Sequence, residues 1–239
     1  MDLSVVVPMH NEAGNVPRLV AEVRDALDGA RLEWELVCVD DGSVDGTGAA
    51  LAGAMASEPR LRAVRHARRH GQTAALATGF ALARAPAIGT LDGDLQNDPG
   101  DLPRLLSVLR DGDWDMVTGC RASRRDGPLR RLSSRVANVV RDAVIHDGIA
   151  DVGCSTRVMR RDCLARVKLY DGLHRFLPAL FLIEGFRVRQ EPVNHRPRAA
   201  GRSKYGVGNR LWRALRDLWA VRWMRDRAIA TAHEEIGPR

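Results

Sequence analysis

Residues 89–99 read GTLDGDLQNDP and set Asp92, Asp94 and Asp98 within seven positions, directly after an apolar lead-in. Carboxylates so close repel one another, so the cluster calls for a counter-charge. Asp92, Asp94 and Gln96 form a D-x-D-x-Q pattern of hard oxygen donors. Such a set suits Mg2+ or Mn2+ held by one or two carboxylates and completed by substrate phosphates. Gly93, between the two aspartates, has no side chain to keep a ligand from the backbone. The structural alternative is an Asx-rich turn, and Asp98 before Pro99 also suits the opening of the next helix.

Two further polar stretches follow apolar runs. VDDGSVDGT (39–47) places Asp40 and Asp41 at a strand end, where a carboxylate beside a nucleotide-binding crevice can accept from a ribose hydroxyl or a base amide. Its glycines do not make G-x-G-x-x-G, so no dinucleotide fingerprint is present, and a turn with a helix cap accounts equally for the pattern. VPMHNE (7–12) has Pro8 stopping a strand and Glu12 entering a helix, where a favourable dipole interaction alone would explain it.

The elements that must carry these residues alternate. LSVVVP (3–8), WELVCVD (34–40), LRAVRH (61–66), AIGTLD (87–92) and DMVTGC (115–120) read as strands. Helical stretches separate them, the first with Val16, Leu19, Val20, Val23 and Leu27 on one face. Five strand–helix units predict an α/β fold with a mainly parallel sheet and helices on both faces, and ligands beyond the carboxyl ends of the strands. Further on, 152–159 reads as a strand and 130–142 as a basic helix. An apolar helix over 176–186 is interrupted by Pro178, an edge strand covers 187–197, and a last helix runs from about Asn209 to Thr231.

Taken in order, the three polar motifs resemble those of the family 2 inverting glycosyltransferases, and within them the dolichol-phosphate mannosyltransferase-like group. That group begins V-x-x-P-x-x-N-E, continues D-D-G-S-x-D-G-T and carries D-x-D-L-Q before a proline, matched here by Val5–Glu12, Asp40–Thr47 and Asp92–Gln96. The likeness extends to VTGCR (117–121) and HRPRAAGRSKYG (195–206), and so covers at least residues 3–206. It implies a Rossmann-like nucleotide-sugar-binding domain of GT-A type over 1–206, with a C-terminal amphipathic helix and tail over 207–239. It further implies that Pro8, His10, Glu12, Val39 and Asp41 line the nucleotide, with His10 standing where the family often has tyrosine. Asp92, Gly93, Asp94 and Gln96 would form the metal and diphosphate site, with Mg2+ or Mn2+ as cofactor. Arg121, Arg198 and Lys204 would reach donor or acceptor phosphates, and Asp94, Arg121, Arg198 and Lys204 are the residues expected to act in catalysis. Lys204 is one of two lysines beside 35 arginines, a compact charge suited to phosphate.

The implied reaction moves one sugar from a GDP- or UDP-sugar to a polyprenyl phosphate such as undecaprenyl or dolichyl phosphate, with inversion. Within RRDGPLRRLSSR (124–135), Arg130, Arg131 and Ser134 are the candidates for the acceptor phosphate. Charge is divided to match: residues 1–100 carry 9 basic and 14 acidic side chains, and residues 101–239 carry 28 and 16. An acidic half suits a metal site and a basic half a phosphate-rich or membrane-surface partner, although a solvated basic face alone would have the same composition. Many relatives append two transmembrane helices. Here the last helix spaces Leu211, Trp212, Leu215, Leu218, Trp219 and Trp223 helically, between Arg210, Arg213, Arg216, Arg222 and Arg225. That composition suits an interfacial anchor, or equally a helix packed on the domain or a dimer. No uncharged apolar run approaches the ~18 residues of a membrane span, and no basic leader precedes the first strand, so a cytoplasmic protein at the membrane face is expected. The four cysteines have no C-x-x-C spacing and read as reduced thiols.

Two rival readings remain at this level. One keeps the donor chemistry but has a soluble saccharide or protein acceptor, and needs a strong base, for which Asp151 is the candidate. The other is a non-catalytic, basic membrane- or nucleic-acid-binding protein, for which no RNA-binding aromatic motif or helix-turn-helix pattern is evident.

Overall fold

The computed structural model describes residues 1–121, 141, 144–145, 147–196 and 208–228, with the backbone alone over 208–214. A seven-stranded sheet runs through it in the order β3-β2-β1-β4-β6-β5-β7. Its strands are β1 (Leu3–Met9), β2 (Trp34–Asp40), β3 (Leu61–Arg65), β4 (Ala87–Thr90), β5 (Met116–Arg121), β6 (Arg157–Arg160) and β7 (Val188–Val193). The helices are α1 (Val16–Gly29), α2 (Thr47–Ser57), α3 (Gln72–Leu82), α4 (Asp101–Asp111), α5 (Arg161–Arg166), α6 (Leu177–Ile183) and α7 (Gly208–Asp226).

Strand β1 pairs in parallel with β2 on one side and β4 on the other. Chain order leads from β1 to β2 through α1 in one layer and from β3 to β4 through α3 in the other, so the β1–β4 boundary is the switch point where an open sheet leaves a crevice. Pairing of β1 with β4 ends at Val6, whereas pairing with β2 continues to Met9. Pro8 therefore lies within the strand rather than stopping it. Having no N–H to donate, it sits past the point where β4 departs.

Two apolar layers hold the sheet. On one face the α1 residues Val16, Leu19, Val20, Val23 and Leu27, all buried, pack with Leu3, Val5, Val7 and the α4 leucines. On the other, Val6, Val37, Val39 and Ile88 pack with α3, α6 and α7. Alternate β1 residues serve opposite layers, as the two-residue repeat of a strand requires, which is why β1 is apolar on both faces apart from Ser4, whose hydroxyl donates to Glu35 at 2.7 Å.

Several boundaries depart from the sequence reading. The expected strand 152–159 is a turn and loop until Arg157, and β6 runs antiparallel, inserted between β4 and β5. Pro178 does not interrupt the apolar helix. It lies in the first turn of α6, where its missing N–H would have had no helical partner. The edge strand is found as β7, paired in parallel with β5. The expected basic helix 130–142 lies outside the described residues, apart from Arg141. Cys38, Cys154 and Cys163 are buried and Cys120 partly so, all as free thiols. Burial pushes Cys38 up to about 12, which makes it inert as a nucleophile.

Helix α7 divides the stripe expected on it. Leu218 and Val221 are buried in the layer that α6 also forms, and Arg175 pairs with the buried Asp217 at 3.2 Å. Trp219 and Trp223, one turn apart, are 69% and 62% exposed. Among the described residues no helix is long and apolar enough to cross a membrane.

Candidate active site at the ends of three strands

The polar motifs all fall at the carboxyl ends of β1, β2 and β4, three adjacent parallel strands. Turn 91–97 is the most strained of them. Leu95 has φ of 62°, a left-handed conformation that bulky residues avoid. Leu95 is also buried, so packing of its side chain offsets the strain and fixes the turn that presents Asp94. Gly93 packs closely, since a Cβ there would lie 3.3 Å from the flexible Met9 side chain and 3.4 Å from the Pro8 carbonyl.

Asp92 is tightly oriented. Its Oδ1 accepts from Gln72 Nε2 at 2.9 Å, its Oδ2 accepts from Ser155 Oγ at 2.7 Å, and its N–H donates to Asn97 at 2.9 Å. Burial, opposed by the Ser155 hydrogen bond and assisted by the Asp94 charge, holds its carboxyl above the usual range. Asp94 Oδ1 accepts the Gln96 N–H at 3.2 Å. Among the described residues no group of three His, Cys, Asp or Glu side chains converges to hold a metal. Two carboxylates on one turn, one oriented from behind by Gln72 and Ser155, fit an ion such as Mg2+ or Mn2+ that takes its remaining oxygens from phosphate and water. Gln96 turns its amide toward His195 and the Arg196 carbonyl, at 3.5 and 3.4 Å.

Asp41 organises the opposite wall. Its carboxylate accepts the N–H groups of His70 and Gly71, both at 2.7 Å, and His66 Nδ1–H at 2.9 Å. Burial opposes these bonds but they outweigh it, and Asp41 is held below the usual carboxylate range. Loop 66–71 is thereby clamped beside the β2 end. Gly42, at φ 63°, admits the loop: a Cβ there would lie 2.5 Å from the Arg68 backbone carbon. Gly42→Ala is therefore expected to cost about 3 kcal/mol, from left-handed strain and overpacking against rigid backbone. Urea unfolding of the variant beside wild type checks this, and a change under 1 kcal/mol would contradict the close contact.

His10 donates from Nδ1 to the Asp41 carbonyl at 2.9 Å, and the N–H groups of Asn11 and Glu12 donate to Ser43 and Thr47, each at 2.9 Å. The first two motifs thus lock into one another. Glu12 accepts from Asn15 at 2.6 Å, Pro8 is partly exposed beside Gly93, and the Val39 side chain is buried in the core, leaving its backbone at the strand end.

The third group lies beside the 151–155 loop, at the end of β5. Arg121, at the end of β5, forms a two-pronged ion pair with Asp151: Nε to Oδ2 at 2.6 Å and Nη2 to Oδ1 at 2.8 Å. Asp151 is buried, and both its oxygens accept from Arg121. Arg196 ties the segment after β7 to the metal-type turn, donating its N–H to the Gln96 carbonyl at 2.8 Å and pairing with Asp98 and Glu22 at 2.9 and 2.6 Å. Asp98 also accepts the Gly100 N–H at 3.0 Å, next to the start of α4. Arg130, Arg131, Ser134, Arg198 and Lys204 lie outside the described residues.

Sequence reasoning missed Gln72, Ser155, Arg157 and His174. None sits in a motif with the aspartates, and only the packing of α3, the 152–155 loop and the turn before α6 against the β4 end assembles them. Thr73 Oγ1 accepts the Gly172 N–H at 3.0 Å and shares a hydrogen bond of 2.7 Å with His174 Nδ1. Burial, then the Arg157 and Arg175 charges, lowers His174 to about 3, from an ordinary value of 6.5. Between those values the unfolded chain takes up a proton that the folded chain refuses, so stability is full above pH 6.5 and falls with acid. From pH 6.5 to 5, before carboxylates titrate, the loss is expected to be about 1–2 kcal/mol. Urea midpoints of wild type and His174→Gln across that window test this; a variant with the same slope would refute it.

Comparison with known proteins places this geometry. A family model described as glycosyl transferase family 2 matches residues 4–167. A dodecaprenyl-phosphate galacturonate synthase from Rhizobium johnstonii is 39% identical over 228 residues, covering 92% of this chain and 66% of the relative. An undecaprenyl-phosphate 4-deoxy-4-formamido-L-arabinose transferase from Aeromonas hydrophila is 35% identical over 208 residues, covering 86% and 63%. The chain thus spans just under two thirds of the length of these relatives. Among solved structures, glucosyl-3-phosphoglycerate synthase from Mycobacterium tuberculosis, bound to Mn2+, UDP and glucosyl-3-phosphoglycerate, superposes with a TM-score of 0.69 at 19% identity, covering 94% of this chain and 79% of that one. A mannosyltransferase from Pyrobaculum calidifontis with GDP-Man and Mn2+ gives 0.67 at 22% identity, covering 97% and 65%. At these identities the structural likeness establishes the GT-A fold.

Proposed function

The chain belongs to glycosyl transferase family 2, and from that premise we propose that it moves one sugar from a nucleoside-diphosphate donor to the phosphate of a polyprenyl phosphate, with inversion. The observation that carries the reading is the Asp92–Asp94 turn, strained, buried from behind and set beside the interlocked ends of β1 and β2. A pair of carboxylates, with no third His, Cys, Asp or Glu converging on them among the described residues, is suited to a divalent ion shared with a diphosphate. The polyprenyl-phosphate names of the two curated relatives, whose similarity spans most of this chain, support the acceptor.

In this reading Asp92 and Asp94 would hold Mg2+ or Mn2+, with Gln96 at the edge of the set. The ion would supply neutralisation of the leaving diphosphate. Pro8, His10, Glu12, the Val39 backbone and the Asp41 clamp would line the nucleotide. Arg198 and Lys204 would meet donor or acceptor phosphates, and Arg130, Arg131 and Ser134 the acceptor phosphate. A phosphate monoester, with its second pKa about 6, is largely dianionic near neutrality and attacks without a strong base. The engagement of Asp151 by Arg121 supports this over a soluble acceptor, for which Asp151 would have to take a proton. Arg121 would then steady the 151–155 loop, which carries Ser155 to Asp92. The exposed Trp219 and Trp223, with the exposed Arg216 nearby, support contact with the membrane surface that holds such a lipid.

The test is transfer from radiolabelled UDP- and GDP-sugars to undecaprenyl phosphate in vesicles, with Mn2+, with Mg2+ and with chelator. Label entering the organic phase only with metal is expected. Donor binding without lipid labelling for any sugar would replace this acceptor with a soluble one.

A further inference from the structure

Asp92 is braced by two groups that lie 20 and 63 residues away along the chain, one on each oxygen. Gln72 Nε2 donates to Oδ1 at 2.9 Å, and Ser155 Oγ donates to Oδ2 at 2.7 Å. A carboxylate oxygen accepts through two lone pairs, so each oxygen keeps one for an ion. The braces fix the plane of the carboxylate without exhausting it as a ligand.

The Ser155 hydroxyl has a second acceptor. Asn97 Oδ1 lies 3.0 Å from it, and that oxygen also accepts the Asp92 N–H at 2.9 Å. A hydroxyl carries one proton and an amide oxygen donates none, so the Ser155 proton is divided between the Asp92 carboxylate and the Asn97 amide. Turning the hydroxyl toward Asn97 frees Oδ2 without losing a hydrogen bond. An Oδ2 drawn upon by a cation is a poorer acceptor, and Asn97 then takes the proton.

Both donors reach Asp92 from anchored backbone. The Thr90 hydroxyl, on β4 two residues before Asp92, donates to the Ser155 carbonyl. Arg157 Nη2 donates to the Val152 carbonyl at 3.0 Å, and Arg121 holds Asp151 at the start of the same loop. Gln72 opens α3 directly after Gly71, whose N–H is held by Asp41 at 2.7 Å. Such outer partners orient a ligand before its ion arrives.

We infer that Ser155 and Gln72 are positioning residues that set the affinity of the Asp92–Asp94 turn for its divalent ion, Ser155 through a hydroxyl that can turn from Asp92 to Asn97. The inference rests on the metal reading above and deepens it. The rival role is structural, two donors that merely satisfy a buried carboxylate. Geometry favours the first, because Asp92, Gln72 and Ser155 together line a cavity of about 200 Å³ and the carboxylate is not sealed in.

The experiment follows Mn2+ binding to the full chain from the loss of the free-ion electron paramagnetic resonance signal, with UDP or GDP in excess. Wild type is expected to bind Mn2+ with at least one of the two nucleotides. Ser155→Ala and Gln72→Met are each expected to weaken Mn2+ binding about 10- to 100-fold, the usual effect of losing an outer partner of a metal ligand. Ser155→Thr keeps the hydroxyl, and the cavity has room for its methyl, so its affinity should stay close to that of wild type. Calorimetry at saturating Mn2+ should return the nucleotide affinity of Ser155→Ala to that of wild type, which a general collapse of the site would not allow. Wild-type Mn2+ affinity in Ser155→Ala or in Gln72→Met overturns the inference and leaves the metal reading intact. So does a Ser155→Thr as weak as Ser155→Ala, or a nucleotide affinity that saturating Mn2+ fails to restore. No Mn2+ bound by wild type with either nucleotide overturns the metal reading and the inference together. Gln72→Met decides the matter if Ser155→Ala folds poorly.

Discussion

Asp94→Ala is expected to reduce sugar transfer at least a thousandfold while leaving the protein folded. Asp94 is partly exposed on the 91–97 turn, where it accepts the Gln96 N–H at 3.2 Å. Losing that bond costs about 1 kcal/mol, and removing a carboxylate that repels Asp92 returns part of it. The cost to catalysis is of a different order. Neutralising a leaving diphosphate is worth several kcal/mol, and about 4 kcal/mol corresponds to a factor of a thousand in rate. Asp94→Asn should fall nearly as far, since an amide oxygen is a poor substitute for an anionic ligand. Initial rates with saturating Mn2+, alongside the midpoint of thermal unfolding, separate the two effects. A variant that kept a tenth of wild-type activity would mean that the turn does not hold the metal.

Asp151→Ala is expected to have the largest effect on stability, about 3–5 kcal/mol. The reason is the partner left behind. Arg121 is largely buried, its Nε and Nη2 both committed to Asp151, and its N–H also reaches Oδ2 at 3.2 Å. Burial works against the Arg121 charge and the Asp151 bonds more than restore it, leaving the guanidinium above its ordinary value. Without Asp151 that charge is stranded beside Arg157, a second buried cation. Replacing both members, as in Arg121→Met with Asp151→Leu, should recover part of the loss, and the double-mutant cycle should show coupling of 1 kcal/mol or more. A general base would behave otherwise: its removal would leave the urea midpoint nearly unchanged and abolish the alkaline-rising limb of the rate profile.

Much of this architecture could be read in residue order. Strand β1 had to be buried because it is apolar at every position but Ser4, and α1 had to be amphipathic because Val16, Leu19, Val20, Val23 and Leu27 share a face. Polar motifs after the strands pointed to one edge of a parallel sheet, since parallel strands put all their carboxyl ends together. Strand β6 was misplaced because VGCST has the apolar content of a strand, while its backbone turns around the Asp151–Arg121 pair instead. Pro178 misled because a proline between apolar residues marks a helix start as readily as an interruption.

What the sequence determined by itself is local: periodicity selects strand or helix, and the spacing of Asp92 and Asp94 demands a counter-charge wherever the turn lies. What tertiary structure alone decided is which distant groups answer those local demands. Gln72 and Ser155 orient Asp92 across 20 and 63 residues of chain, Asp41 clamps a loop 25 to 30 residues on, and Trp219 turns outward while its neighbour Leu218 turns in. Such pairings arise when elements pack. Burial cost and hydrogen-bond geometry, which set them, depend on separation in space and not along the chain.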